Sequence, residues 1–198
     1  MPKKVDHEQR RAELTAALIR IVAERGLDEV SVREVAAVAG VSVGTVQYYF
    51  STKDEMLLVA AEHVFAAGLR RAARVPPGGP PADVLHRTLR EFLPLDDERM
   101  TECRIWVAFA ARAAVSPAIR RAQLEVLGEA RTALRHMLAE ALVAAESIDG
   151  LDPAVESVLL LAVLDGLTLH GVQDPVGHPA ASQEAALRHQ IDRLFLAT

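Results

Sequence analysis

Gln47, Tyr48 and Tyr49 stand side by side in VSVGTVQYYFSTKDEML (Val41 to Leu57), and Lys53 follows a few residues later. The chain is only 4% aromatic, yet both of its tyrosines fall here. An apolar core has no use for adjacent phenols, whereas a surface that touches something polar and planar does. A glutamine amide pairs two hydrogen bonds with the N6/N7 edge of adenine. The hydroxyls of Thr45, Tyr48 and Tyr49 donate to phosphate oxygens. Lys53 falls where a helix begins, so a phosphate there meets both its ammonium and free backbone N–H groups. Arg33, a little earlier, reaches a groove or a phosphate. The chemistry in view is recognition of double-stranded DNA.

Those side chains need elements that present them. Leu14, Ala17, Leu18, Ile21 and Val22 recur at helical spacing and predict a first helix from about His7 to Arg25, closed by Gly26. Ser31 and Glu34 read as a capping box for a second helix that buries Val32, Val35, Ala36 and Ala39 and closes at Gly40. Ser42 caps a third, very short helix ending near Tyr49. Thr52 and Glu55 form another capping box, and a fourth helix runs on through LLVAAEHVFAAGLRRAAR. The second and third helices, joined by AGVS, read as a helix-turn-helix. Val46 and Phe50 tie the short helix to the bundle with Val41 beside them, which leaves Val43, Gly44, Gln47 and Tyr48 outward. Gly44 is costly inside a helix, but its bareness suits a backbone that must come close to DNA.

VPPGGPP (Val75 to Pro81) admits no helix and marks a hinge or linker. Beyond it, DVLHRTLREFL and ERMTECRIWVAFAARAA read as helices. Ser116 and Pro117 open a long one to Glu146, Asp152 and Pro153 open another to about Gln173, and a last covers about Ala181 to Leu196. Nine helices in two units make an all-α chain. Residues 1–50 form a three-helix, helix-turn-helix DNA-binding domain. Residues 51–198 form a helical ligand-binding and dimerisation domain, with the helix over 51–74 connecting the two.

The 198 residues are 51% hydrophobic and 25% charged, an ordinary balance for a folded chain. A net charge of −5 excludes a polycation, so DNA must be met by a local patch. Lys3, Lys4, Arg10 and Arg11 form either a solubilising terminus or an arm on the DNA backbone or minor groove. Cys103 is the only cysteine; it reads as a packing residue, and a cytoplasmic setting fits. No apolar signal core follows MPKKVDHEQRR. The longest apolar run, VLLLAVL (Val158 to Leu164), is far below the ~20 residues that span a bilayer and reads as buried helix, so no membrane partner is expected. There is no phosphate loop, nucleophile elbow or HExxH, and the histidines show no metal-ligand spacing with carboxylates. The reading is therefore no enzyme, no cofactor and no metal. Asp96, Asp97 and Glu98 read as the start of a helix.

Trp106, Phe109, Met137 and His170 either line a pocket for a largely apolar small molecule or simply pack as core, with Leu134 and Leu167 on the same faces. Asp165 lies in an apolar run before Gly166, and a buried acid there needs a partner, an arginine or a ligand cation.

GLDEVSVREVAAVAGVSVGTVQYYFSTKDEML resembles the N-terminal domain of the TetR family of bacterial transcription regulators. Gly26, Ser31, Ala36, Gly40-Val41-Ser42, Gly44-Thr45, Tyr49-Phe50, Lys53 and Leu57 carry the resemblance. FLPLDDER, RIWVAFAARAA and LLLAVLDGLTLHGVQDP resemble the ligand-binding part of a subgroup that includes betaine-pathway (BetI-type) regulators. The resemblance implies a homodimer that binds a palindromic operator and lets go when a small-molecule effector enters the second domain. It makes Gln47 a base reader and Thr45, Tyr48, Tyr49 and Lys53 phosphate contacts. Arg33, Ser42, Val43 and Gly44 complete the DNA-facing set. The last two long helices would form the dimer face as a four-helix bundle, with Gly166 and Gly171 allowing close approach. Many relatives carry lysine where this chain has Val43 and tyrosine where it has Gln47, so the preferred bases cannot be borrowed. Two rival readings stand beside this one. One is an activator or nucleoid-type binder with no ligand. The other is an interaction protein or enzyme with a vestigial DNA-binding head.

Overall fold

A computed structural model describes residues 2–26, 29–144 and 150–195, with side chains from His7 onward. Nine α-helices follow one another among them: α1 (Pro2–Arg25), α2 (Val32–Ala39), α3 (Val43–Tyr49), α4 (Lys53–Ala72), α5 (Pro81–Leu89), α6 (Asp97–Ala113), α7 (Pro117–Ala144), α8 (Pro153–Gln173) and α9 (Ala180–Asp192). The all-α architecture is as the patterning predicts, with a few boundaries moved. α1 starts at Pro2 rather than His7, because its first turns are polar and give no apolar periodicity to read. The side chains of Lys3 and Lys4 lie outside the described residues, as do the helix ends expected at Glu146 and Leu196. DVLHRTLREFL is not one helix: α5 stops at Leu89, and Arg90–Phe92 form a 3-10 turn. Leu93 then turns extended (φ −94°, ψ 152°), as the residue before a proline must.

Caps explain most of the remaining ends. Asp96 accepts from the Arg99 N–H at 2.8 Å and starts α6. Asp152 accepts from the Ala154 N–H at 2.8 Å and starts α8, with Pro153 in the first turn. The proline-rich linker does not swing free. Arg87 of α5 donates to the carbonyls of Pro76 and Gly78, at 3.2 and 2.7 Å.

Two apolar cores hold the helices. The first contains Leu14, Ile21, Val35, Val46, Phe50 and Met56, and it runs on into Ile105, Phe109 and Ile119 of α6 and α7. It therefore does not stop at residue 50. The second gathers Leu85, Leu93, Leu138, Leu160, Leu187 and Ile191 from α5, α7, α8 and α9. Between them, Arg71 of α4 donates to both oxygens of Glu102 on α6 and to the Glu91 carbonyl.

α8 departs from the sequence reading. By length and composition it is the one described helix that is long and apolar enough to cross a bilayer. VLLLAVL is not uniformly buried either. Leu160 and Leu164 face the second core, but Val158 and Leu159 are nearly half exposed, and Val155 and Leu169 are exposed as well. A helix that is apolar all round is normally buried all round. Among the described residues nothing covers one of its faces. The two glycines expected there also differ. A Cβ on Gly166 would meet nothing within 4 Å, whereas on Gly171 it would strike Gln183 of α9 and Pro94. Gly171 thus serves packing inside the chain, because α9 crosses α8 at that point.

Candidate nucleic-acid interface and effector cleft

The short helix α3 is set by its neighbours on both sides. Gly40 adopts the left-handed conformation (φ 66°, ψ 34°) and ends α2, with the Val41 N–H returning to the Ala36 carbonyl at 3.0 Å. Ser42 then caps α3 by accepting from the Thr45 N–H at 3.0 Å. Its hydroxyl also pairs with that of Thr45 at 2.8 Å. Phe50 closes the helix through its N–H to the Val46 carbonyl. Val46 and Phe50 are fully buried, so the helix is pinned by one face. Truncating a buried phenylalanine of this kind costs about 3–5 kcal/mol.

The opposite face is open. Val43, Gly44, Gln47 and Tyr48 are exposed, Tyr48 by 74%, and Thr45 and Tyr49 are half-buried. Tyr48 and Tyr49 meet edge to face, with ring centroids 5.2 Å apart. His7 of α1 lies against both, 4.5 Å from Tyr49 and 5.9 Å from Tyr48. Sequence reasoning missed that histidine because its place in this cluster depends on how α1 crosses α3. A Cβ on Gly44 would touch only the Ser42 hydroxyl, at an ordinary 3.7 Å. The fold itself therefore does not require glycine there. Arg33 on α2 is exposed, as are Ser42 and Lys53.

The two expected capping boxes form only in part. Ser31 accepts from the Glu34 N–H at 3.2 Å, but the Glu34 carboxylate pairs with Arg25 at 2.6 Å instead of reaching back. Thr52 accepts from the Glu55 N–H at 3.1 Å, and Glu55 reaches one residue further back, to the Ser51 N–H at 2.7 Å. Arg10, a possible arm residue, pairs with Glu13 at 2.6 Å. Arg11 is exposed.

Beside Lys53, Asp54 is fastened to the far end of α6. The Arg112 guanidinium donates to its two oxygens at 2.8 and 3.2 Å, and the Ser116 hydroxyl donates at 3.0 Å. The Arg112 bond holds the Asp54 carboxyl below its ordinary value, burial working against it. The first turn of α4 is thereby joined to the loop between α6 and α7.

A cleft of about 140 Å³ opens between α4, α6 and α7. Trp106 and Phe109 line it together with Leu58, Ala61 and Val126. Trp106 also stacks on Phe65 (5.9 Å, 22°), and its indole N–H donates to Asp165 of α8 at 3.4 Å. Asp165 thus takes Trp106, rather than an arginine, as its partner. Desolvation raises its carboxyl above the ordinary value, the indole bond opposing, although the residue keeps an exposed side. Met137 and His170 are not brought to this cleft. Met137 packs on the second core beside Leu134, about 12 Å further along α7 than Glu129 at 1.5 Å per residue. His170 is exposed in the last turn of α8, with its ring 5.0 Å from His178. Leu167 belongs to the second core as well. What sequence reasoning missed is the α4 and α7 lining: Leu58, Ala61 and Glu62, then Ala122, Glu125, Val126 and Glu129. The signal was available, since both sets recur at one-turn spacing. Among the described residues no group of three or more His, Cys, Asp or Glu could hold a metal ion.

Comparison with known proteins gives consistent results. Residues 14–60 match the family described as bacterial regulatory proteins, tetR family. Residues 81–196 match the one described as BetI-type transcriptional repressor, C-terminal. The chain is 32% identical over 177 residues to the HTH-type transcriptional regulator PksA of Bacillus subtilis, covering 89% of this chain and 85% of that protein. It is 30% identical over 179 residues to the HTH-type transcriptional regulator BetI of Burkholderia thailandensis, covering 86% of each. A solved transcriptional regulator from Rhodococcus sp. Rha1 superposes with a TM-score of 0.83 at 39% identity, over 93% of this chain and 95% of that one.

Proposed function

Because the chain belongs to the TetR family of bacterial transcription regulators and is thereby a DNA-binding regulator, we propose that it is a cytoplasmic homodimeric repressor, released from a palindromic operator by a small-molecule effector. The observation that carries this reading is the two-sided character of α3. Val46 and Phe50 are buried, while Val43, Gly44, Gln47 and Tyr48 are left to solvent. On this reading Gln47 reads a base edge. Thr45, Tyr48, Tyr49 and Lys53 hold phosphates, and Arg33, Ser42, Val43 and Gly44 border the groove. The uncovered apolar face of α8, with open Gly166 at its middle, is the surface on which the second copy packs. Two recognition helices then stand about 34 Å apart, in successive major grooves.

Release requires the effector to bind the DNA-competent and incompetent states unequally. The cleft beside Trp106 touches α4 directly, and the Arg112–Asp54–Ser116 contact ties the same helix at its DNA end. A molecule that spreads α4 from α7 therefore tilts the helix that carries Lys53. A few ångströms of change in head separation loses one half-site. Operator DNA must weaken the effector by the factor that the effector weakens DNA.

The decisive experiment is gel-shift titration against DNA upstream of the gene and its neighbours. A discrete palindrome bound by a dimer, and vacated on effector addition, is the expected outcome. A bound site indifferent to every effector that binds the protein would instead favour the ligand-independent reading, and absence of any specific site would leave the head vestigial. The Arg112→Gln variant should keep operator affinity within about threefold and bind effector normally, yet need several-fold more effector for release.

A further inference from the structure

His7, Leu14 and Ile21 each lie two turns apart on α1, so they share one side of that helix. Leu14 and Ile21 are fully buried, whereas His7 comes before the core begins and is exposed. There its imidazole meets α3, tilted on Tyr49 at 4.5 Å and edge-on to Tyr48 at 5.9 Å. The two phenols meet each other at 5.2 Å, so three rings close a triangle beside the exposed residues of α3. Tyr48 is 74% exposed, and these ring contacts limit how it turns. Among the described residues none of the three polar tips, two hydroxyls and an imidazole, has a hydrogen-bond or ion-pair partner. Packing alone would be served as well by a phenyl ring. An imidazole adds a group that changes charge between about pH 5 and 8.

We propose that His7 is a proton-linked DNA contact: its imidazolium donates to a phosphate beside those held by Tyr48 and Tyr49, and its ring keeps both phenols in place. This rests on the DNA-facing reading of α3, and on neither operator nor effector. A phosphate favours the charged ring, so the complex takes up a proton from solvent that the free protein lacks. The electron-rich faces of the tyrosine rings also attract an imidazolium, so charging the ring tightens the triangle. The groups facing His7 from α3 are the two phenols. Its neighbours along α1 are Glu8, Arg10 and Arg11, and Arg10 is paired with Glu13. Arg11 stands one turn further along the same side, is exposed, and opposes a second positive charge in the free protein. A phosphate shared by the two removes that opposition. DNA binding therefore strengthens as pH falls through the imidazole range, and levels off once the free ring is charged as well. His7 is the only histidine before His63, so no other imidazole belongs to the three helices of the head.

A phosphate contact is independent of base sequence, so a mixed-sequence duplex of about 30 base pairs at about 0.05 M salt is a sufficient probe. Its binding to the intact protein is followed by fluorescence anisotropy from about pH 8 to about pH 6. The parent should tighten about threefold or more as pH falls. His7→Gln should stay within about twofold over the same range, and at low pH its salt slope should be smaller by about one unit per head. His7→Lys should bind at the upper pH as the parent does at the lower, because its charge does not titrate there. His7→Phe keeps a ring on the tyrosines, so it should melt no lower than the parent yet show the flat profile of His7→Gln. A parent profile that is flat, or one that survives in His7→Gln or in His7→Phe, would overturn the proposal. Lys53→Ala separates it from the reading beneath it. If that variant weakens the duplex while no change at His7 does, His7 alone is off the DNA. If neither does, the DNA-facing reading of α3 fails and the proposal falls with it.

Discussion

The exposed face of α3 is supplied by seven consecutive residues. The cleft beside Trp106 draws its walls from α4, α6 and α7, from Leu58 to Glu129. The first is local, because a cap, two buried anchors and a helical period settle which side chains point outward. The second depends on how three long helices cross, and no short stretch contains it. On the proposed reading the difference also separates what each surface recognises. DNA, a fixed polymer, would be met by a short rigid element, and an effector by a gap between helices that have other packing duties. Such a gap is easier to move, and a movable gap is what a switch needs.

The largest effect expected is on a residue that belongs to neither surface. Gly166→Arg should leave the single chain folded, since nothing lies within 4 Å of a Cβ there. It should still convert dimers to monomers in sedimentation and lower operator affinity at least about a hundredfold, because a single head holds only one half-site. A soluble variant that stays dimeric would move the interface off α8, and both surfaces would need a new geometry.

Within the head, Gln47 and Lys53 should fail differently. Gln47→Ala should cost about 1–3 kcal/mol on the best operator and relax preference at one position of each half-site. Lys53→Ala should weaken all DNA alike and lower the salt slope by about one unit. Equal loss on specific and random DNA in the glutamine variant would make Gln47 a backbone contact instead of a reader.

Gly44 offers a smaller and more pointed contrast, because fold and function pull apart there. Replacement by alanine meets only the Ser42 hydroxyl at 3.7 Å. It should therefore raise thermal stability by about 0.5–1 kcal/mol, the ordinary gain of alanine over glycine in a helix. The same change should weaken DNA binding, by holding the backbone off the groove. A variant that is both steadier and a better binder would show that no close approach occurs at this position.

The smallest effect is on Cys103. Burial pushes its thiol up to about 12, with Glu102 adding to the shift and Thr168 opposing it. A raised value means the thiolate is absent until pH climbs toward it, so at pH 8 the folded protein should react with thiol reagents far more slowly than the unfolded one. Fast labelling of the native state would mean that the packing of α6 around Phe92 opens often.

How far sequence reached follows the same local and non-local divide. The helix-turn-helix was readable because Ser31, Gly40, Ser42 and Thr52 each act on residues within one turn. The anchors Val46 and Phe50 were readable for the same reason. The break of α5 at Leu89 was hidden because the apolar period continues through it, and only Pro94 downstream betrays it. Trp106 and Phe109 do line one cleft, because they stand one turn apart on α6. Met137 and His170 were grouped with them because a TetR-like domain would bring their three helices together, but such a likeness does not say which of two cores a given helix turn meets.

Leu14 on α1 and Phe109 on α6 belong to one packed mass. That bears on modularity. If the DNA-reading head were cut away after Phe50, the fragment would lose Met56, Leu57, Ile105 and Phe109 from its own interior, and the bared flanks of Leu14 and Ile21 would invite aggregation. Exchanging heads among relatives to rewire which genes answer a given signal therefore calls for a junction beyond the first half of α4, with the contacting face of α6 carried along or repacked. Recombination at the tempting loop before α4 would splice two half-cores that were never fitted to each other.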